Sequence, residues 1–104
     1  MRRAAAVLAL VATALPARAA GISDTDALAI VRKHCVMCHA AAPTHESFRE
    51  APKNVTLETI SDIRKYAAAV YTQAVQTKAM PLGNQTVMTD DERSALGRWL
   101  KELP

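Results

Sequence analysis

The sequence predicts a small all-α domain of three to four helices, and three observations support this prediction. Apolar residues recur three and four positions apart in three stretches, which is the spacing of one helix face. No stretch alternates apolar and polar residues as a half-buried strand does. The chain has 104 residues, enough for one small domain, which excludes a dinucleotide-binding enzyme fold or a barrel.

The first 19 residues have the features of a secretory signal peptide. Residues 2–3 are both arginine, residues 4–15 carry no charge, and an Ala-Arg-Ala cleavage site covers residues 17–19. A retained membrane anchor is the alternative, but a spanning helix needs about 20 apolar residues and this run is shorter. We therefore expect cleavage after Ala19, with Ala20 as the next candidate, and export of the remainder to the periplasm.

Removal of this segment changes the charge balance. The full chain has a formal charge of +3, but three of its arginines lie in the signal segment. The remaining 85 residues carry ten basic and ten acidic side chains and no basic stripe with interleaved aromatic residues, so we expect no nucleic-acid partner. They contain 23 apolar side chains larger than alanine, cysteines aside. So small a core is expected to need a cofactor, metal or cross-link.

The first helix is predicted to begin near Ser23 or Asp24, either of which can cap it, and to lead into Cys35. A polar loop follows over residues 40–54. The second helical region covers about residues 58–77. Each boundary is predicted from local sequence alone.

The second helical region is either one helix or two with a bend near Ala67. Pro81 and Gly83 then indicate a loop. Thr89 and Glu92 have the spacing of a capping box, in which hydroxyl and carboxylate satisfy reciprocal backbone donors. The last helix has one apolar face, formed by Leu96, Trp99, Leu100 and Leu103.

Both cysteines lie in the string Cys35-Val36-Met37-Cys38-His39, a C-x-x-C-H motif. A disulfide here would close a very short loop, constrain little and leave His39 without a role. A zinc site needs four ligands; His45 could complete the set, but adjacent Cys38 and His39 fit a tetrahedron poorly. A redox C-x-x-C follows a strand, and none is evident.

Covalent attachment of one haem c is the interpretation that the motif favours. Two thiols at this spacing add across the two vinyl groups of one porphyrin edge, which carries His39 under the iron. Export agrees, because this attachment occurs outside the bacterial cytoplasm. A buried porphyrin also supplies apolar volume that the small core lacks.

A thioether is expected as the second axial ligand of an electron carrier, because it raises the reduction potential. Met80 stands before Pro81, 41 residues after His39, in a turn that can hold a thioether rigidly. Met88 directly precedes the Thr89 cap and is expected to pack in the core. We predict Met80 as the ligand, with Met88 or no methionine as the alternatives.

These features together resemble class I cytochromes c over residues 20–104. A helix leads into C-x-x-C-H, a Met-Pro loop follows, and the C-terminal helix bears a tryptophan. A narrower resemblance is to the C-terminal cytochrome c domain of bacterial membrane-bound urate hydroxylases (urate oxidases). The string AMPLGN at residues 79–84 carries most of it, with Thr86, Met88-Thr89 and Glu92-Arg93.

The resemblance implies a small class I cytochrome c fold around one covalent haem, acting as a periplasmic electron-transfer protein rather than an enzyme. Cys35 and Cys38 would attach the haem, and His39 and Met80 would ligate its iron. The implied partners are redox proteins such as a membrane-bound dehydrogenase or oxidase. In the urate hydroxylases the cytochrome domain follows a multi-span membrane domain and takes electrons from urate oxidation. No such domain stands before the present segment, so we expect no urate chemistry on these residues.

The alternative function class is a haem sensor or a peroxidase-like enzyme with an open sixth coordination site. A proline carbonyl orients the ligand histidine in class I cytochromes, so Pro43 and Pro52 are the candidates to orient His39. His34 and His45 are expected to face solvent. Trp99 is expected to pack in the core near a haem propionate, and Tyr66 and Tyr71 are expected to pack or to contact a propionate. Asp90, Asp91 and Glu92 are expected to form a cluster at the start of a helix.

Overall fold

The computed structural model describes residues 3–10 and 21–104. Over these ranges the chain is helical without a strand, which confirms the all-α class. Residues 3–10 have no regular secondary structure, and the predicted cleavage site at Ala19 or Ala20 lies outside the described residues. Within the same ranges no helix is long and apolar enough to cross a membrane.

Residues 21–104 contain four α-helices joined by loops and short turns. The helices are α1 (Asp24–His34), α2 (Ile60–Lys65), α3 (Ala67–Val70) and α4 (Asp90–Lys101). A π-helical turn over Tyr71–Gln76 continues α3 directly. Two 3₁₀ turns cover Pro52–Asn54 and Leu82–Asn84.

The two longest helices begin at the predicted caps. Ser23 caps α1, where its hydroxyl oxygen accepts a hydrogen bond from the Asp26 amide at 3.1 Å. At α4 the Glu92 amide donates to Thr89 Oγ1 and the Thr89 amide donates to Glu92 Oε1, each at 3.1 Å. These bonds satisfy amides that lack a partner within the helix, so local sequence sets both starting points.

The second helical region is divided at Tyr66, whose φ of −106° and ψ of 19° interrupt the helix beside the expected position, Ala67. The two-helix alternative is therefore confirmed. The π-helical turn was not predicted. Its last bond runs from the Thr77 amide to the Thr72 carbonyl at 2.9 Å, while the Ala74 carbonyl accepts from the side chain of Arg93 at 2.6 Å. The bond from Arg93 comes from α4, so no sequence pattern within residues 71–76 predicts it.

The core lies where α4 packs on α1 and on the π-helical turn. Val31 of α1, Ile63 of α2 and Leu96 of α4 are fully buried. Trp99 is buried as expected, and its indole Nε1 donates to Asp24 Oδ1 at 3.0 Å, which joins the last helix to the first. The remaining core side chains are Ala27, Leu57, Val70, Ala74, Met88 and Leu100.

Gly97 allows the π-helical turn to approach α4 closely. A Cβ atom at this position would lie 2.7 Å from Val75 Cγ1 and 3.6 Å from the Tyr71 ring. Such a contact is shorter than van der Waals packing allows, so the absence of a side chain at Gly97 sets the distance between these two elements.

We predict that Gly97→Ala lowers the free energy of unfolding by about 1–3 kcal/mol, because the added methyl group overpacks this contact. The effect opposes helix propensity, which favours alanine over glycine by about 1 kcal/mol. Ser94→Ala, at an exposed position of the same helix, is the control and should leave stability unchanged or slightly higher. Urea unfolding followed by circular dichroism measures both, and a stabilised Gly97→Ala protein would contradict the prediction.

Candidate cofactor site

A cleft of about 540 Å³ lies between the loop after α1, the π-helical turn and the loop before α4. Its volume is within the range of about 300–1,000 Å³ that is typical of cofactor pockets. Cys35, Cys38, His39 and Met80 all line it. Met88 is instead buried in the core with 4% exposure, as its sequence position indicated. The apolar part of the wall comprises Phe48, Pro52, Val55, Leu57, Ala69, Val70, Ala74, Pro81 and Leu82.

The C-x-x-C-H segment forms a turn around the carbonyl of Cys35 at the end of α1. Cys35 is the C-cap of α1, and its amide still donates to the Val31 carbonyl at 2.8 Å. The Cys35 carbonyl then accepts from the amides of Cys38 at 3.2 Å and His39 at 2.9 Å. A single turn that continues α1 therefore brings both thiols and the imidazole to the cleft.

The His39 ring is oriented by the Val55 carbonyl, which lies 2.9 Å from Nδ1. Since a carbonyl only accepts, Nδ1 carries the proton, and Nε2 is left with the lone pair that a metal ion requires. The Leu57 amide donates to the His39 carbonyl at 2.9 Å, so residues 55–57 hold both the ring and the backbone of His39. The expectation that Pro43 or Pro52 supplies the carbonyl is wrong: the turn that Pro52 begins places Val55 at the ring instead.

The two thiols are free and half-buried. Burial raises the pKa of Cys35 to about 11, with the neighbouring Cys38 thiol adding to the shift and the positive charge of Arg93 opposing it. Burial also raises the pKa of Cys38. Redox-active cysteines act as thiolates with lowered pKa values, so these thiols lack the electrostatic signature of a redox site.

The zinc interpretation loses its ligand set as well. Among the described residues, no three His, Cys, Asp or Glu side chains lie close enough together to hold a metal ion. His45 lines the cleft and is partly exposed, and its Nε2 lies 3.1 Å from Gln85 Oε1. The four nominated ligands therefore do not form a tetrahedral site.

Two hydrogen bonds to the Met80 backbone hold the segment around this residue (residues 78–81, the Met80 segment) at the rim of the cleft. The Met80 amide donates to the Gln73 carbonyl at 2.9 Å, and the Met80 carbonyl accepts from Arg93 Nη1 at 2.8 Å. The chain reverses between the π-helical turn and Met80 at Lys78, which has a φ of 58°. The methionine is thus tied both to the preceding turn and to α4.

Arg93 is a buried residue behind the cleft wall that the sequence did not lead us to expect. It is 5% exposed and donates to the carbonyls of Ala74 at 2.6 Å and Met80 at 2.8 Å, and to Asn84 Oδ1 at 3.4 Å. A signal was present, because Arg93 stands three positions before Leu96 and therefore on the apolar face of α4. A charge on that face indicates a buried cation with specific acceptors.

His34 is likewise buried, with 2% exposure, so the expectation that it faces solvent is wrong. Its Nδ1 lies 2.7 Å from Thr86 Oγ1 and its Nε2 2.8 Å from Glu92 Oε2. Partial burial raises the pKa of Glu92, but hydrogen bonds from the His34 ring and the Thr89 backbone, with the charges of His34 and Lys33, lower it to about 2. An ionised carboxylate therefore links α4 to the end of α1.

The aromatic residues divide between cleft and core. Tyr66 lines the cleft, whereas Tyr71 packs at Gly97 and lies 5.1 Å below the Lys101 ammonium. The Trp99 indole is hydrogen-bonded to a carboxylate of α1. Only Tyr66 of these three is placed to touch a molecule in the cleft.

Comparisons of the chain with known protein families, with curated proteins and with solved structures found no match. Support for a function therefore comes from the residues of the cleft. Their arrangement offers two protonated thiols, one imidazole with a free lone pair and one thioether around a largely apolar volume.

We predict that Glu92→Gln removes an acid-sensitive part of the stability. The carboxyl has a pKa of 4.5 when unperturbed and about 2 when folded, so its contribution is complete above pH 4.5 and is lost as pH falls towards 2. At pH 7 the substitution should cost about 2 kcal/mol, because a charge-assisted bond to His34 is weakened.

Urea unfolding at a series of pH values between 7 and about 2 measures this difference. Wild type should lose stability more steeply than Glu92→Gln below pH 4.5. Asp91→Asn, which changes an exposed carboxylate in the same helical turn, should keep the wild-type profile. Parallel profiles for wild type and Glu92→Gln would contradict the lowered pKa.

Proposed function

We propose that residues 20–104 are a periplasmic c-type cytochrome domain that carries single electrons through one covalently attached haem. The observation that carries this proposal is the convergence of two thiols, the adjacent imidazole and a methionine on one apolar cleft of cofactor size. A haem in this cleft would supply one-electron chemistry by cycling its iron between the ferric and ferrous states.

The cysteines would hold the cofactor by forming thioether bonds. Each S–H would add across one vinyl group, so that sulfur bonds to one carbon and hydrogen to the other, with no external oxidant. Cys35 and Cys38 sit on one turn, which suits attachment to one porphyrin edge.

His39 would serve as the proximal ligand through Nε2, since Nδ1 donates to the Val55 carbonyl. That bond selects the tautomer and fixes the ring plane before any metal is present. Met80 would serve as the second ligand, because it lines the cleft whereas Met88 is packed in the core. The apolar wall would exclude water and favour the less charged ferrous state.

A rigidly held Met80 segment favours an electron carrier over a haem sensor or a peroxidase-like enzyme, both of which need an open sixth site. The proposed partners are redox proteins of the same compartment, including a membrane-bound dehydrogenase or oxidase. The resemblance of residues 79–93 to the urate hydroxylase cytochrome domain supports a urate-oxidising membrane system as one such electron donor.

We predict that haem remains with the polypeptide through acid–acetone extraction when the chain is expressed with the periplasmic haem-attachment machinery. The double variant Cys35→Ala, Cys38→Ala should release its haem into the solvent, because no thioether can form. Val36→Ala, within the same motif, is the control and should retain covalent haem. Free haem in the extract of the wild-type protein would overturn the proposal.

The methionine ligand is testable from the weak red absorption that a thioether–iron bond gives in the ferric state. We predict that Met80→Ala abolishes this band. Met88→Ala should retain it while losing about 2–5 kcal/mol of stability, as expected for a large-to-small substitution in a core. Loss of the band only in Met88→Ala would show that Met88 is the ligand. Rapid binding of carbon monoxide or cyanide by wild type would favour the open-site alternative.

A further inference from the structure

We infer that Arg93 is a positioning residue for Met80: its buried guanidinium holds the methionine segment against the π-helical turn and so keeps the thioether at the iron. The inference rests on the proposed function, because Met80 is assigned there as the ligand. It concerns a residue that does not line the cleft and whose hydrogen bonds reach it through the backbone of Met80 and Ala74.

One nitrogen of Arg93 joins two separate segments of the chain. Nη1 carries two N–H groups, and it donates to the Ala74 carbonyl at 2.6 Å and the Met80 carbonyl at 2.8 Å. Ala74 belongs to the π-helical turn, and Met80 begins the loop that returns to α4. The guanidinium therefore sets the separation of two residues that both line the cleft.

The second terminal nitrogen extends the contact along the same loop. Nη2 of Arg93 donates to Asn84 Oδ1 at 3.4 Å, and this oxygen also accepts from the Met88 amide at 2.8 Å. Asn84 Nδ2 in turn donates to the Met88 carbonyl at 3.3 Å. The loop from Met80 to Met88 is thus held at its start, middle and end by one connected set of bonds.

The cost of burying Arg93 argues against a role in packing alone. Within the described residues no carboxylate lies within 4.0 Å of its guanidinium, so its charge is stabilised by neutral oxygens. Burial of such a cation is unfavourable, and an apolar side chain of similar size would fill the same volume at lower cost. The position instead needs several donors with a fixed planar geometry, which arginine provides.

Loss of these donors would act on Met80 first. The Met80 carbonyl and the Ala74 carbonyl would both lose a charge-assisted bond. Of the two hydrogen bonds to the Met80 backbone, only the one from its amide to the Gln73 carbonyl would remain. The segment would then open more often, and the thioether would leave the iron more often, although the domain stays folded.

The test measures how fast imidazole replaces the methionine in the ferric holoprotein, since that rate follows the opening of the Met80 segment. Arg93→Gln should exchange about tenfold faster than wild type, because a charge-assisted bond is lost. Arg93→Lys, which keeps the charge but not the planar fork, should lie between them. The red absorption band reports in each variant whether the thioether is bound at the start.

Two controls separate positioning from stability and from charge. Val31→Ala lowers stability from a fully buried site on α1, and Arg32→Gln removes a positive charge from an exposed position of the same helix. Both should exchange within about twofold of wild type, since both lie on α1 and neither takes part in a hydrogen bond that holds Met80. If Arg93→Gln does not fold, Arg93→Lys decides the question alone.

Each outcome bears on one of the two proposals. The exchange rates are compared at equal free energy of unfolding. If Arg93→Lys and Arg93→Gln exchange imidazole no faster than Val31→Ala, the positioning role is overturned. That result would leave the proposed function intact provided that wild type has covalent haem and the red band. A wild-type protein lacking either feature would overturn the proposed function and this inference with it.

Discussion

The first turn of α4 connects the two sides of the cleft. Glu92 bonds to His34, the last residue of α1 and the neighbour of Cys35, while Arg93 bonds to the Met80 carbonyl. These adjacent residues reach the cysteine side and the methionine side of the cleft from a single helical turn. The separation of the two sides therefore depends on where α4 begins and how firmly it packs.

The position of α4 is in turn set by local and tertiary interactions together. The Thr89 capping box fixes its start, Leu96 anchors it in the core, and Gly97 brings it close to the π-helical turn. All buried polar side-chain atoms in the described residues have hydrogen-bond partners. Among these residues, no buried polar side chain is left unsatisfied in a way that would favour another arrangement of the cleft walls.

The features predicted correctly are those that depend on neighbours in sequence. The caps at Ser23 and Thr89, the bend beside Ala67 and the burial of Met88 all follow from spacing along one segment. The errors share a different origin. The acceptor for His39 depends on how the loop at residues 52–57 folds back against the C-x-x-C-H motif. The path of that loop cannot be predicted from the separation of these residues in sequence.

Sequence alone determined the all-α class, the starts of α1 and α4 and the set of side chains that can bind a cofactor, because propensity, capping and motif spacing act within a few residues. Only the tertiary structure decided which of those side chains share a cleft, and that His34 and Arg93 are buried to hold it. The physical reason is that a charged group is buried only where distant acceptors meet it. For Arg93 those acceptors lie 9 to 19 residues earlier in the chain.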